Sequence, residues 1–157
     1  MSRSLDFFFD TTHTDERLLE RLRGLCGLSF QPATDGRSYY YCRFLWREIS
    51  LERNIFREIE EYPVEKLGWY LHIDRTDPDW VDIDVASWAL LSYLVMHASA
   101  GSEGLLVFDL EVPLARYLFK GGELIDTLAD NGVIQFPEHV ARVGERWRAE
   151  RKRRNIH

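Results

Sequence analysis

Apolar and polar positions alternate along several short stretches in the first half of the chain. The clearest stretch is 46–53, in which Ile49 and Leu51 alternate with Glu48, Ser50 and Glu52. Successive side chains of a strand point to opposite faces of its sheet, so strict alternation is typical of an antiparallel strand with one face in water. Residues 46–53 are therefore predicted to form such a strand.

The same pattern predicts further strands. In residues 68–74 the two faces carry different side chains: Trp69, Leu71 and Ile73 against Tyr70, His72 and Asp74. Other segments rich in aromatic or β-branched residues are predicted as strands at 5–10, 38–43 and 104–110. Residues 114–120 fit either a helix or a strand.

Four segments are predicted as helices. Leu18, Leu19, Leu22 and Leu25 lie on one helical face of a segment that begins at one of the threonines 11, 12 or 14 and ends near Gly24. Residues 84–100 suit a buried helix, with Leu91 and Leu94 facing inward. Residues 122–131 suggest a short helix closed by Asn131-Gly132. Residues 137–154 suggest a basic C-terminal helix, whose inward row is Val140, Val143 and Trp147.

This order of elements indicates an α+β fold, in which helices pack on one face of a mostly antiparallel sheet. Regular alternation of strands and helices, which a doubly wound sheet requires, is missing after the first helix. A length of 157 residues fits one globular domain, 1–157.

Targeting and redox signals favour a cytoplasmic protein. Residues 1–10 lack the long apolar region of a secretory signal. The longest uncharged apolar stretch, 85–98, is shorter than the roughly 20 residues that span a bilayer, so no membrane association is expected. Cys26 and Cys42 are most simply two reduced, buried thiols.

The net charge of −6 hides a strong asymmetry. Residues 142–154 hold seven basic and two acidic groups, so this tail carries +5 and the remainder carries −11. An acidic body of this kind should repel nucleic acid and attract cationic partners. The basic tail could contact nucleic acid phosphates as an accessory protein would, but cations near a helix C-terminus also complement the helix dipole, which is the simpler interpretation.

No catalytic motif accompanies these elements. The glycines at 101 and 104 precede a strand, whereas a phosphate-binding loop leads from a strand into a helix. The five histidines lack metal-ligand spacing. No catalytic residue, metal or cofactor is therefore expected. The alternative is an unrecognised enzyme or metal-dependent hydrolase that uses Tyr70, His72 and Asp74, although a solvated sheet face explains these three residues equally well.

The acidic segment 74–84 is the strongest local feature. It lacks the glycine, the terminal Glu and the register of a Ca²⁺ loop. A turn at Asp77-Pro78 and a helix cap at Asp84 explain part of it. They do not require Asp77 and Asp79 together with Trp80, whereas a recognition surface combines such an anchor with charged neighbours. The predicted partner-binding residues are Asp74, Asp77, Asp79, Trp80 and Asp82.

About the first 100 residues combine an aromatic first strand at 5–10, the run Tyr39-Tyr40-Tyr41, and Glu61-Tyr62-Pro63 before the strand at 69–74. In these features the chain resembles the small acidic immunity proteins of bacterial polymorphic and contact-dependent toxin systems. The basic C-terminal helix departs from this pattern. The resemblance implies a protein that performs no catalysis and neutralises a cognate cationic toxin, such as a nuclease, through an acidic surface.

Overall fold

Eight strands form one sheet in the computed structural model, which describes residues 4–35, 38–44, 47–59, 62–74, 85–108, 115–129 and 136–155. The strands of this sheet are β1 (Ser4–Phe9), β2 (Gln31–Pro32), β3 (Tyr39–Phe44), β4 (Arg47–Arg53), β7 (Trp69–Asp74), β8 (Glu103–Phe108), β9 (Ala115–Lys120) and β10 (Glu123–Ala129). Two short strands form a separate hairpin, β5 (Glu58–Ile59) and β6 (Tyr62–Pro63).

Three helices accompany the sheet: α1 (Asp15–Arg21), which continues into a π-helical turn at Leu22–Cys26, α2 (Val85–Ser99) and α3 (Phe136–Arg154). Thr14 caps α1 by accepting a hydrogen bond from the backbone N–H of Arg17 at 3.3 Å. Gly27 ends the π-helical turn with φ 72°, a left-handed conformation that glycine adopts without steric cost.

The strand order is β10-β9-β8-β1-β7-β4-β3-β2, and every neighbouring pair is antiparallel. The predicted α+β class with an antiparallel sheet is confirmed. β1 occupies the middle of the sheet, and its residues Phe7, Phe8 and Phe9 are all buried, which requires cover on both faces. Phe7 and Phe9 belong to the larger core on the helical side, and Phe8 belongs to a smaller core on the opposite side.

The helical side is built around α2. The predicted buried helix is confirmed for Leu94, which is 5% exposed, whereas Leu91 is only partly buried. Trp147 of α3 faces inward as predicted: it is buried, and its ring stacks on that of Tyr93 in α2 at 5.2 Å between centroids. The side chains of Val140 and Val143, predicted in the same row, lie outside the described residues. The Tyr93 hydroxyl accepts a hydrogen bond from the backbone N–H of Leu124 at 2.7 Å, which ties α2 to β10.

Opposite the helices, the described residues of segment 54–68 cover part of the sheet. Val64 and Leu67 pack there with Phe8 and with apolar residues of β8 and β9, namely Leu105, Val107 and Leu118. The Asn54 side-chain amide holds this segment by donating to the carbonyl oxygens of Val64 and Leu67 at 2.8 and 2.7 Å. The cover therefore lies over β1, β8 and β9.

The prediction of a helix at 122–131 was wrong, because residues 123–129 form strand β10. Gly121 and Gly122 have φ values of 60° and 80° between the paired residues Lys120 and Glu123, so they form a tight hairpin turn of the kind that requires positive φ. Two register shifts interrupt β10, and they remove the alternation by which a strand is recognised. Of the ambiguous segment 114–120, the described residues 115–120 form strand β9.

None of the helices in the described ranges combines the length and the apolar character needed to cross a membrane.

Candidate binding surface

A polar surface lies opposite the helices, on the strands next to the region that segment 54–68 covers. We call it the outer face and define it by the outward residues of four adjacent strands: Asp6 of β1; Tyr70 and His72 of β7; Glu48, Ser50 and Glu52 of β4; and Tyr39, Tyr41 and Arg43 of β3. Their sequence neighbours point to the helical core, so strand alternation assigns these side chains to the opposite face. All nine are partly or fully exposed.

The side chains of Tyr70 on β7 and Glu52 on the adjacent strand β4 are hydrogen-bonded to each other. The Tyr70 hydroxyl donates to the Glu52 carboxylate at 2.6 Å, and the backbone register places the two residues opposite each other. Partial burial, and then the neighbouring Glu52 carboxylate, raise the pKa of the Tyr70 phenol. Tyr70 therefore stays protonated near neutral pH, where it acts as a hydrogen-bond donor and not as a base.

The imidazole of His72 contacts a carboxylate of β1, the neighbour of β7 on the side away from β4. Its Nδ1 lies 2.6 Å from Asp6 Oδ1, and the side chains are 37% and 20% exposed. The catalytic alternative paired His72 with Asp74, whose side chain lies outside the described residues. The carboxylate that the structure places at His72 is Asp6. Ser50 occupies the register position on the other side of His72, so an oriented imidazole stands beside a hydroxyl-bearing residue. The catalytic alternative, which uses Tyr70, His72 and Asp74, stays a hypothesis.

An apolar turn borders the outer face. Ile55 and Phe56 are 83% and 43% exposed. The Phe56 ring contacts those of Phe8 and Tyr70 edge-on, at 5.9 and 5.8 Å between centroids. Asn54 fixes the turn, since its Oδ1 accepts from the backbone N–H of Phe56 at 2.8 Å. A fixed turn presents Ile55 to a partner without an ordering cost on binding.

The predicted partner-binding residues Asp77, Asp79, Trp80 and Asp82 lie outside the described residues. The backbone of Asp74 ends β7, in register with Ser4, but its side chain is not described either. The predicted recognition segment therefore stays a prediction. In the chain it directly follows the strand that carries Tyr70 and His72.

Burial restricts the two cysteines as nucleophiles, and the distances between potential ligands restrict metal binding. Cys26 and Cys42 are both free and buried, as expected, and burial raises the pKa of their thiols to about 12 and about 11. Thiols with such high pKa values are poor nucleophiles at neutral pH. Across the described ranges, no three His, Cys, Asp or Glu side chains lie close enough together to hold a metal ion.

No protein-family model, curated protein or solved structure matches this chain. Its function must therefore be inferred from its own residues.

Several residues of this surface carried no recognisable signal in the sequence. Asp6 directly precedes three phenylalanines and was predicted only as part of a strand. The residue that lies opposite it on a neighbouring strand cannot be deduced from the alternation of one strand. Asn54, Ile55 and Phe56 follow β4 without any motif. The wet positions Glu48, Ser50 and Glu52 were predicted correctly, because alternation alone assigns them to one face.

Proposed function

We propose that this chain is a cytoplasmic binding protein that neutralises a cationic protein toxin, and that the outer face forms a main part of the contact. The observation that carries the proposal is the composition of this face. It presents three carboxylates, Asp6, Glu48 and Glu52, against the single cation Arg43, and three tyrosines lie among them.

Such a composition suits recognition of a basic protein. Carboxylates steer a cationic partner during encounter and suppress wrong partners by like-charge repulsion. Tyrosines supply large contact area at low cost in conformational entropy, since each has only two side-chain torsions. The strands that carry them form a hydrogen-bonded sheet, so the surface is ordered before the partner arrives.

The Ile55–Phe56 turn adds an apolar anchor beside this charged surface. Binding energy at protein interfaces concentrates in a few desolvated apolar or aromatic contacts, and surrounding polar residues contribute mainly specificity. Ile55 gains little from folding, because it is 83% exposed. An apolar pocket flanked by basic side chains is the matching surface on a toxin.

The proposal is tested in bacteria that carry an inducible toxin gene taken from beside this chain's own gene. Co-expression of the wild-type chain should restore growth. The double variant Glu48→Gln, Glu52→Gln should protect less at equal expression, because Gln keeps the size and the acceptor but removes the charge. A matched control is Glu16→Gln, Glu20→Gln, which removes the same charge from exposed positions on α1.

The outcomes test the neutralising function and the location of the contact surface separately. Failure of the wild-type chain to protect cells, or to co-purify with the toxin, would exclude the neutralising function for that toxin. Protection that is equal for the wild type and the outer-face variant would retain the function but move the contact elsewhere, with segment 74–84 as the first place to examine.

A further inference from the structure

The outward side of α3 is strongly basic. Phe136–Arg154 contains seven basic and three acidic residues, and six of the seven basic residues are arginine. The exposed basic side chains of this helix are Arg142, Arg146, Arg148, Lys152, Arg153 and Arg154. Trp147 faces the core instead and is 2% exposed. Among its described side chains, the helix thus buries Trp147 and presents a basic surface.

Complementing the helix dipole accounts for only part of this charge. The dipole acts within the last turn of a helix, and only residues 151–154 lie there. Glu150, directly before that turn, accepts hydrogen bonds from Arg153 and Arg154, and these bonds lower the pKa of the Glu150 carboxyl to about 2. Arg154 also donates to the backbone carbonyl of Leu25 at 3.1 Å. The cations at 142, 146 and 148 precede this turn and need another explanation.

The dimensions of the basic surface match a phosphate backbone. Residues 142 and 153 are about 16 Å apart along the axis at 1.5 Å per residue. One strand of duplex DNA carries a phosphate for every ~3.4 Å of the duplex axis, so several phosphates lie within reach of this length. Arginine suits them because its planar guanidinium can donate two parallel hydrogen bonds to one phosphate group.

The acidic outer face does not cancel this local field. It lies on the opposite side of the sheet from the helices, so it is separated from α3 by the sheet and the helical core. Where these charges face solvent, salt screens their interaction beyond a Debye length of about 8 Å at physiological ionic strength. The neighbouring segment Asp15–Cys26 holds three acidic and three basic residues and is neutral. A net charge of −6 therefore does not prevent anion binding at α3.

The packing of α3 favours nucleic acid over a lipid surface as the ligand of its basic side. A helix that binds in the membrane interface needs an exposed apolar side. Trp147 of α3 packs into the core, where it stacks on Tyr93, and is not available to a lipid surface. We propose that the outward side of α3 binds the phosphate backbone of nucleic acid without reading its sequence. This activity is independent of the proposed toxin contact, which lies across the sheet.

The test uses the full chain and a fluorescein-labelled 20-base-pair DNA duplex of mixed sequence, with fluorescence anisotropy read between 50 and 200 mM KCl. Binding through about three phosphates should give a slope of log K against log salt near −3, and a Kd on the order of 10⁻⁵ M at the lower salt concentrations. The double variant Arg142→Gln, Arg146→Gln should flatten the slope by about two, because each lost phosphate contact removes about one.

The matched control is Arg57→Gln, Lys66→Gln, which removes the same charge from exposed positions of segment 54–68 on the other side of the sheet. It should keep the wild-type slope, and circular dichroism should show both variants folded. Absence of binding at 50 mM KCl would overturn the proposal. An equal loss in the control pair would do the same, since only net charge would then matter. Stronger binding to vesicles containing 30% phosphatidylserine than to the duplex would point to lipid instead.

Discussion

At the scale of single residues, His97 makes the stability of the protein depend on pH. It lies near the end of α2, and its ring centroid is 6.5 Å from that of Trp147. Burial, and then the positive charges of Arg21 and Arg151, lower the pKa of its imidazole below the ordinary value of 6.5. The His97 imidazole therefore binds a proton less readily in the folded protein than in the unfolded chain.

Because folding lowers the pKa of His97, we expect the free energy of unfolding to fall as pH drops from 7.5 to 5.5. The unfolded state binds more protons below pH 6.5, so acidification favours unfolding. His13, whose pKa is lowered mainly by burial, acts in the same direction. Urea unfolding at the two pH values should show a smaller loss for His97→Gln than for the wild type. An unchanged loss would mean that His97 titrates alike in both states.

Single residues also show where sequence patterns stop being informative. Alternation assigned Tyr70 and His72 to one face correctly. It could not show that Glu52 would meet Tyr70, or that Asp6 would meet His72, because both contacts depend on the pairing of strands distant in the chain. Register is fixed by the whole sheet, and no single strand contains that information.

At the scale of elements, the junction between α2 and β8 depends on one close approach. The Asp10 carboxylate accepts from the backbone N–H groups of Ser102 and Glu103 at 2.7 and 3.0 Å, and from the Ser102 hydroxyl at 2.7 Å. Gly101 lies so close that a Cβ at this position would collide with the Asp10 carbonyl oxygen and carboxylate. Glycine lets the chain leave α2 against the end of β1.

Gly101→Ala should therefore destabilise the fold by about 1–3 kcal/mol, the usual cost of forced overpacking. The control is Gly68→Ala, because a Cβ at position 68 would have no atom within 4 Å. Denaturant unfolding compares the two variants with the wild type. Equal stability of both variants would show that the junction relaxes freely and that the Asp10 contacts do not hold it.

Elements were predictable to the extent that their patterns were regular. α2 could be predicted because it is apolar along its whole length, and the structure surrounds it with α1, α3 and the sheet. β10 could not, because its bulges break the alternation and its leucines at 124 and 128 imitate helical spacing. The one local signal for this strand is the Gly121-Gly122 pair, which is typical of a two-residue hairpin turn.

At the scale of the whole molecule, charge is separated across the sheet. The outer face is acidic, and the outward side of α3 is basic. The sequence showed that a basic tail and an acidic remainder exist, but the topology was needed to place them on opposite sides. This arrangement gives the chain two surfaces of opposite sign, and each should respond to salt with its own partner.

Binding kinetics against the purified toxin, measured at 50 and 300 mM KCl, test the outer face most directly. The association rate of the wild-type chain should fall as salt rises, because steering is screened. The double variant Glu48→Gln, Glu52→Gln should associate more slowly at low salt and lose part of this dependence. Ile55→Ser should chiefly raise the dissociation rate, because an apolar anchor acts after encounter. A wild-type association rate that is independent of salt, together with unchanged rates for both variants, would contradict the outer face as the contact surface.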